Sequence, residues 1–220
     1  MRILCVADHI DPLVYSPRIK ERFGNVDLVL SAGDLPMEYL GYIASTLNKP
    51  LLFIFGNHNL KRFELFRGSG STGFSLVPDD FTTNQFGSTH IDNRVLRSRG
   101  LLIAGLGGSI RYNKGENQFT ERQMFAKILL LLPKLYWNRL RYGRYLDILL
   151  THAAPYGIQD RADPCHRGFK VFLWFMRRFQ PRYLLHGHIH LYDNNAVRET
   201  RYHKTLVVNV YDHYVLAPEA

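Results

Sequence analysis

Residues 26–58 read VDLVLSAGDLPMEYLGYIASTLNKPLLFIFGNH. Two apolar runs, 26–31 and 51–55, each close on a polar turn that contains glycine: Ala32-Gly33-Asp34 and Gly56-Asn57-His58. Runs that are apolar on both faces belong in a sheet covered on both sides. Between them, residues 37–47 repeat apolar side chains at helical spacing, and Pro50 marks the restart of the chain. Strand, turn, helix, strand is the pattern of a βαβ crossover, so an α/β fold with a largely parallel sheet is predicted.

The same pattern extends in both directions. Residues 2–7 form an apolar run that ends at Asp8, and 101–106 closes on Gly107-Gly108-Ser109. Residues 147–150 lead into Thr151-His152, and 183–185 into Gly187-His188-Ile189-His190. Amphipathic spacing predicts helices over 121–145 and 169–179, the second stopped by Pro181. Residues 205–210 and 214–216 predict a strand pair, and the Gly-, Ser-, Thr- and Asp-rich stretch 68–87 predicts irregular structure. In open α/β sheets ligands bind outside the carboxyl ends of the strands, so the polar turns are expected along one rim.

The chain of 220 residues fits a single domain over 1–220, with a basic helical insertion around 111–146. It can bury a core without disulfides. Cys5 and Cys165 have the spacing of neither a disulfide framework nor a zinc knuckle, which predicts a reducing cytoplasm. Asp8 cuts the N-terminal apolar run too short for a signal peptide. Pro133 and Lys134 close the run 128–132, whereas a bilayer span needs about 20 apolar residues, so no transmembrane segment is expected.

A site for divalent metals and phosphate needs hard oxygen donors, imidazoles and a residue able to bridge two ions. Asp8, Asp34, Asn57, His152, His188 and His190 supply that set. Carboxylates, one amide oxygen and three imidazoles suit Mn, Fe or Zn better than Ca, which prefers all-oxygen cages. In order along the chain, Gly33-Asp34, Gly56-Asn57-His58, His152 after a strand and the GHxH of Gly187 to His190 resemble the calcineurin-like metallophosphoesterase superfamily. Asp8 fills the first position of that family's D-x-H, and the resemblance covers nearly the whole chain. It implies a four-layer αββα sandwich of two mixed β-sheets flanked by helices, with the metal site at the strand C-terminal ends.

It also implies roles. Asp34 would bridge two metals, Asp8 and His190 would hold the first, and Asn57, His152 and His188 the second. Hydroxide held between the ions would attack phosphorus in line, with His58 stabilising the transition state or protonating the leaving oxygen. The activity implied is metal-dependent hydrolysis of phosphate mono- or diesters. The alternative is a weak or inactive scaffold of the same fold, binding protein or nucleic acid. One position departs from the pattern: Ile10 stands where D-x-H has its histidine. Neighbouring side chains of an extended segment point to opposite sides, so His9 replaces it only if the turn differs. Asp11 reaches the vacant position only if the loop tightens before Pro12. One tightly held ion, or an unequal pair, is therefore implied.

The net charge of +9 points to anionic partners, a phosphorylated substrate first and nucleic acid second. Basic residues over 111–144 read as a solvated surface. Those from Arg161 to Arg182 read either so or as a field that steers substrate. Arg111 after Gly107-Gly108-Ser109, and His166 in its loop, are candidates for substrate contact. The stretch Leu135, Tyr136, Trp137 with Tyr142 and Tyr145 among arginines fits base stacking or a membrane surface. A helix packing its aromatic face on the sheet and exposing its arginines is the expectation.

Overall fold

The structure, a computed structural model, describes residues 1–60, 84–85 (backbone), 87–193 and 196–218. One six-stranded sheet contains β1 (Ile3–Ala7), β2 (Leu28–Ser31), β3 (Leu51–Phe53), β4 (Asn84–Gln85), β5 (Ser88–His90) and β14 (Asp212–Leu216). Its order is β14-β1-β2-β3-β5-β4, with β1, β2, β3 and β5 parallel and both edge strands antiparallel. The second six-stranded sheet contains β6 (Val95–Ser98), β7 (Leu101–Leu106), β10 (Ile148–Thr151), β11 (Tyr183–His186), β12 (Glu199–Tyr202) and β13 (Thr205–Asn209). Its order is β12-β13-β11-β10-β7-β6, again parallel in the middle and antiparallel at the edges. A short parallel pair, β8 (Ser109–Ile110) and β9 (Gln118–Phe119), stands apart.

Strand alternation separates the layers. Ile3, Cys5 and Ala7 of β1 join Leu28 and Leu30 against Ile103, Ile148, Leu150, Leu185 and Val208 of the other sheet. The intervening Leu4 and Val6 face outward onto α1 (Ile19–Phe23) and α2 (Met37–Leu47). On the far side, Leu102, Ala104, Leu149, Leu184 and Val207 pack under α3 (Glu121–Tyr142) and α4 (Lys170–Phe179). The result is an αββα sandwich of two mixed sheets. Phe172 and Phe175 of α4 are fully buried, and truncating either to alanine costs about 3–5 kcal/mol.

Local signals set several boundaries. Thr120 and Gln123 form a reciprocal capping box at the start of α3. That helix ends at Gly143, whose φ of 73° allows the left-handed turn, and so stops short of the predicted residue 145. The predicted C-terminal strand pair does not form. β13 pairs with β11 and β12, whereas β14 crosses to the other sheet and pairs with β1. Asp212, at φ 60°, stands at the crossover, and the two runs complete different sheets. Of the stretch predicted to be irregular, residues 68–83 and 86 lie outside the described residues, while Asn84–Gln85 forms an edge strand.

The aromatic stretch over 135–145 meets expectation in part: Leu135, Tyr142 and Tyr145 pack on the core, but Tyr136 and Trp137 are exposed. Met124, Ile128, Leu131 and Leu135 face the sheet, while Tyr136 and Trp137 face outward. Leu135 and Trp137 are two residues apart, about 200° around the helix, so they cannot share a face. Among the described residues, no helix is long and apolar enough to cross a membrane.

Candidate metal centre

Parallel pairing brings the turns after β1, β2 and β3 to one edge of the first sheet, and those after β10 and β11 to one edge of the second. Hydrogen bonds join these edges at one end of the sandwich. His152 Nδ1 donates to the Ala32 carbonyl at 2.8 Å. His188 N donates to both Asp8 carboxylate oxygens at 2.9 Å. Asp8, Asp34 and His188 have φ of 66°, 58° and 66°, a left-handed bend uncommon for non-glycine residues. Three bends of this kind at one place are the sort of local strain that clusters at functional sites.

The donor atoms of Asp34, His152 and His188 all lie within 4.8 Å of one another. A carbonyl oxygen only accepts, so the bond to Ala32 fixes the His152 proton on Nδ1 and leaves a lone pair on Nε2 in the neutral ring. That Nε2 faces Asn57 Oδ1 at 3.2 Å and Asp34 Oδ2 at 3.3 Å. Three electron-rich atoms thus confront one another in a buried place, and only a proton or a cation reconciles them. The Cys165 carbonyl likewise holds His188 Nε2 at 2.7 Å, which turns the lone pair of the neutral ring to Nδ1. Tyr112 Oη accepts from Asn57 Nδ2 at 3.3 Å, so the amide presents its oxygen to His152. Backbone carbonyls that orient imidazoles in this way are usual behind metal ligands.

Electrostatics point the same way. Burial raises the Asp8 carboxyl to about 7; His152 opposes the shift and nearby Asp34 adds to it. Burial also acts to raise Asp34, but the adjoining His152 outweighs it and holds the carboxyl below its usual range. Burial acts to lower His152, and Asp34 overrides it upward. In His188, burial and then His152 both favour the neutral ring, the form a ligand needs. Among the described residues, neither Asp8 nor Asp34 has a lysine or arginine partner. Buried carboxylates without a fixed cation, beside two imidazoles and an amide oxygen, fit a divalent ion that would displace the His152 proton.

Glycine makes this approach feasible. A Cβ on Gly56 would collide with Asp34 Oδ1 and His152 Cε1, and one on Gly187 would stand 2.5 Å from Asp8 Oδ2.

Asp8 and His190 stand outside the tight cluster. His190 is half-buried, with Nδ1 on Tyr192 Oη at 2.7 Å and its ring 4.9 Å from that of Tyr211. His58 is exposed at the rim, and its backbone N–H donates to Asp34 Oδ1 at 2.7 Å. The chain does turn sharply after β1, with His9 N on Ala7 O at 2.7 Å. Yet His9 Nδ1 goes to Asp212 at 2.7 Å, Ile10 is 39% exposed, and Asp11 turns away to Leu13 N and His213. Neither neighbour therefore fills the vacant position. Arg111 binds the Gln118 carbonyl at 3.2 Å and braces β8 against β9. His166 pairs with Asp163 at 2.8 Å, its ring 5.3 Å from His188. Buried His186 is held by the Gly187 carbonyl and Gln159.

Tyr112, Asn117 and Tyr192 carried no signal in the sequence. Asn117 Nδ2 donates to the Gly56 carbonyl at 2.6 Å and so pins the turn that carries Asn57. A cleft of about 560 Å³ opens beside His190, lined in part by Ile158, Arg161, Leu191, Tyr192 and Val197.

Two facing mixed sheets between helices, with oxygen and imidazole donors converging at the strand ends, define the metallophosphoesterase class of α/β proteins. The family model of the calcineurin-like phosphoesterases matches residues 1–192, and the chain belongs to that family. One crystal structure shares the fold with a TM-score of 0.66 at 13% identity, over 98% of this chain and 94% of its own. The crystal structure of TT1561 of Thermus thermophilus matches with a TM-score of 0.62 at 14% identity, over 96% of this chain and 89% of its own. No curated protein matches the sequence.

Proposed function

We propose that this protein hydrolyses phosphate mono- or diesters with divalent metal, Mn, Fe or Zn, held by Asp34, Asn57, His152 and His188. The observation that carries the proposal is the meeting of His152 Nε2, Asn57 Oδ1 and Asp34 Oδ2 at 3.2 and 3.3 Å. Asp8 and His190 would complete a weaker neighbouring site, since Ile10 supplies no donor and neither His9 nor Asp11 replaces it. Ions bound there would polarise the phosphoryl oxygens and lower the pKa of water.

The chain's own groups do the rest. Asp34 carries charge to the centre of the site, and its Oδ1 holds the His58 backbone at 2.7 Å. His58, exposed at the rim, is free to donate a proton to a departing alkoxide, a contribution typically of about 10²–10⁴-fold. The cleft beside His190 offers Ile158, Leu191 and Val197 to the organic part of the ester, with Arg161 beside them.

The test joins metal analysis to turnover. Protein purified without chelator and reloaded with Mn should hold at least one equivalent and cleave bis(p-nitrophenyl) phosphate or p-nitrophenyl phosphate. His58→Ala should lower turnover with metal content unchanged, and Asp34→Asn should lower both. Turnover that survives chelation, or a His58→Ala variant as active as the parent, would refute the proposal.

A further inference from the structure

The outward side of α3 takes no part in the site; Tyr136, near one edge of it, leans on Phe179 and accepts from Arg178 Nη2 at 2.7 Å. Leu140 is 84% exposed, Leu130 69% and Trp137 58%, and Phe125, Leu129 and Tyr136 are exposed beside them. At about 100° per residue these six side chains fall within an arc of roughly 140°, along a helix about 33 Å long. The apolar surface continues onto α4, where the Trp174 ring meets Phe125 at 5.4 Å. A contiguous apolar strip of this size on a folded chain marks a contact surface.

Charge selects the occupant. Arg122 is exposed at the N-terminal end of the strip, Lys134 and Arg141 along one border and Arg139 along the other, and Arg177 is exposed on α4. Glu121 is the sole acidic residue of α3. Its carboxylate already receives Lys170 N at 2.7 Å and Val171 N at 3.2 Å, at the start of α4. The strip is therefore apolar in the middle, basic at its margins and free of acid, in a chain of net charge +9. A second copy of the chain docking face to face would set these cations against their own kind. An anionic lipid surface satisfies both features: leucines and aromatics enter the acyl boundary, while arginine and lysine stems reach back to the headgroups.

From this geometry we infer that α3 docks the protein in the plane of an anionic membrane through Phe125, Leu129, Leu130, Tyr136, Trp137 and Leu140. The helix lies against the outer face of the second sheet, whereas the candidate metal centre lies at the strand ends. Docking along that side leaves the end of the sandwich open to substrate.

The experiment is flotation of the full chain with vesicles of phosphatidylcholine alone, or of equal parts phosphatidylcholine and phosphatidylglycerol, at low and high salt. The protein should float with the anionic vesicles and not the neutral ones, and less at high salt. Leu130→Glu with Leu140→Glu should abolish flotation. Arg122→Gln, Lys134→Gln and Arg141→Gln should each weaken it about fivefold, as expected near an anionic surface. In a Trp174→Phe background the remaining Trp137 should shift its emission to the blue on binding. Circular dichroism and thermal melting of each variant establish that loss of binding is not loss of fold. Three results would overturn the inference: flotation with neither vesicle, flotation insensitive to Leu130→Glu with Leu140→Glu, or a concentration-dependent dimer that this pair of substitutions dissolves. None of these measurements depends on turnover.

Discussion

Replacing Gly56 by alanine tests the candidate centre at its tightest point. The added Cβ would fall within 2.5 Å of both Asp34 Oδ1 and His152 Cε1, where ordinary contact begins near 3.4 Å. Relief requires a shift of about 1 Å in the carboxylate, the imidazole or the turn, and misplacement on that scale costs on the order of 10²-fold in rate. Overpacking should also lower stability by about 1–3 kcal/mol. The assay is Mn-loaded turnover of a chromogenic phosphate ester, read beside metal content and the thermal midpoint. Gly100→Ala is the control: its φ is 85°, but nothing lies within 4 Å of the added methyl. It should cost roughly 1–2 kcal/mol of backbone strain with turnover intact. If Gly56→Ala kept parental activity and metal content, the turn after β3 would not position the site, and the assignment of Asp34 and His152 would fall with it.

Three further outcomes are expected. Burial holds the His90 imidazole down at about 4, against about 6.5 in the unfolded chain. The unfolded state therefore takes up the proton first as pH falls. The His90 contribution to stability is complete above pH 6.5 and declines by up to roughly 3 kcal/mol as pH drops towards 4. Urea unfolding of His90→Phe should show a flatter profile across that window, and an unchanged slope would contradict the assignment. Lys127 Nζ holds Asp92 at 2.9 Å, linking α3 to the loop before β6. Lys127→Met should cost about 3 kcal/mol by stranding the carboxylate, and adding Asp92→Asn should recover much of it in a denaturant titration. Ile10→His restores the missing imidazole, so Mn retained after gel filtration should rise towards two equivalents; unchanged stoichiometry would show that the loop after β1 directs position 10 away from the site.

Much of this architecture was legible in the chain. Residues 37–47 and 101–106 formed the predicted elements to the residue, because helical spacing in one and an unbroken apolar run in the other left no competing period. The edge strands β6 and β12, with sequences VLRS and ETRY, gave no such signal, since an edge strand can be half solvated and needs no apolar run. The strand pair expected over 205–216 failed because adjacency in sequence says nothing about which sheet a strand completes. On α3, Leu135, Tyr136 and Trp137 look alike as apolar residues, and only the azimuth of the helix on the sheet decides that Leu135 is buried and Trp137 is not.

For the candidate centre the division is similar. The sequence by itself determined the inventory: polar residues and glycines at the ends of apolar runs, in an order that marks a family, with one imidazole missing at Ile10. Tertiary structure decided which of them meet. Asp34, His152 and His188 converge, whereas Asp8 and His190 stand outside that tight cluster. It also set the chemical state of the imidazoles, through the carbonyls of Ala32, 120 residues from His152, and Cys165, 23 residues from His188. Periodicity is a local property that a chain carries in itself; the direction of a lone pair belongs to a hydrogen bond between distant segments, and it exists only once they are packed.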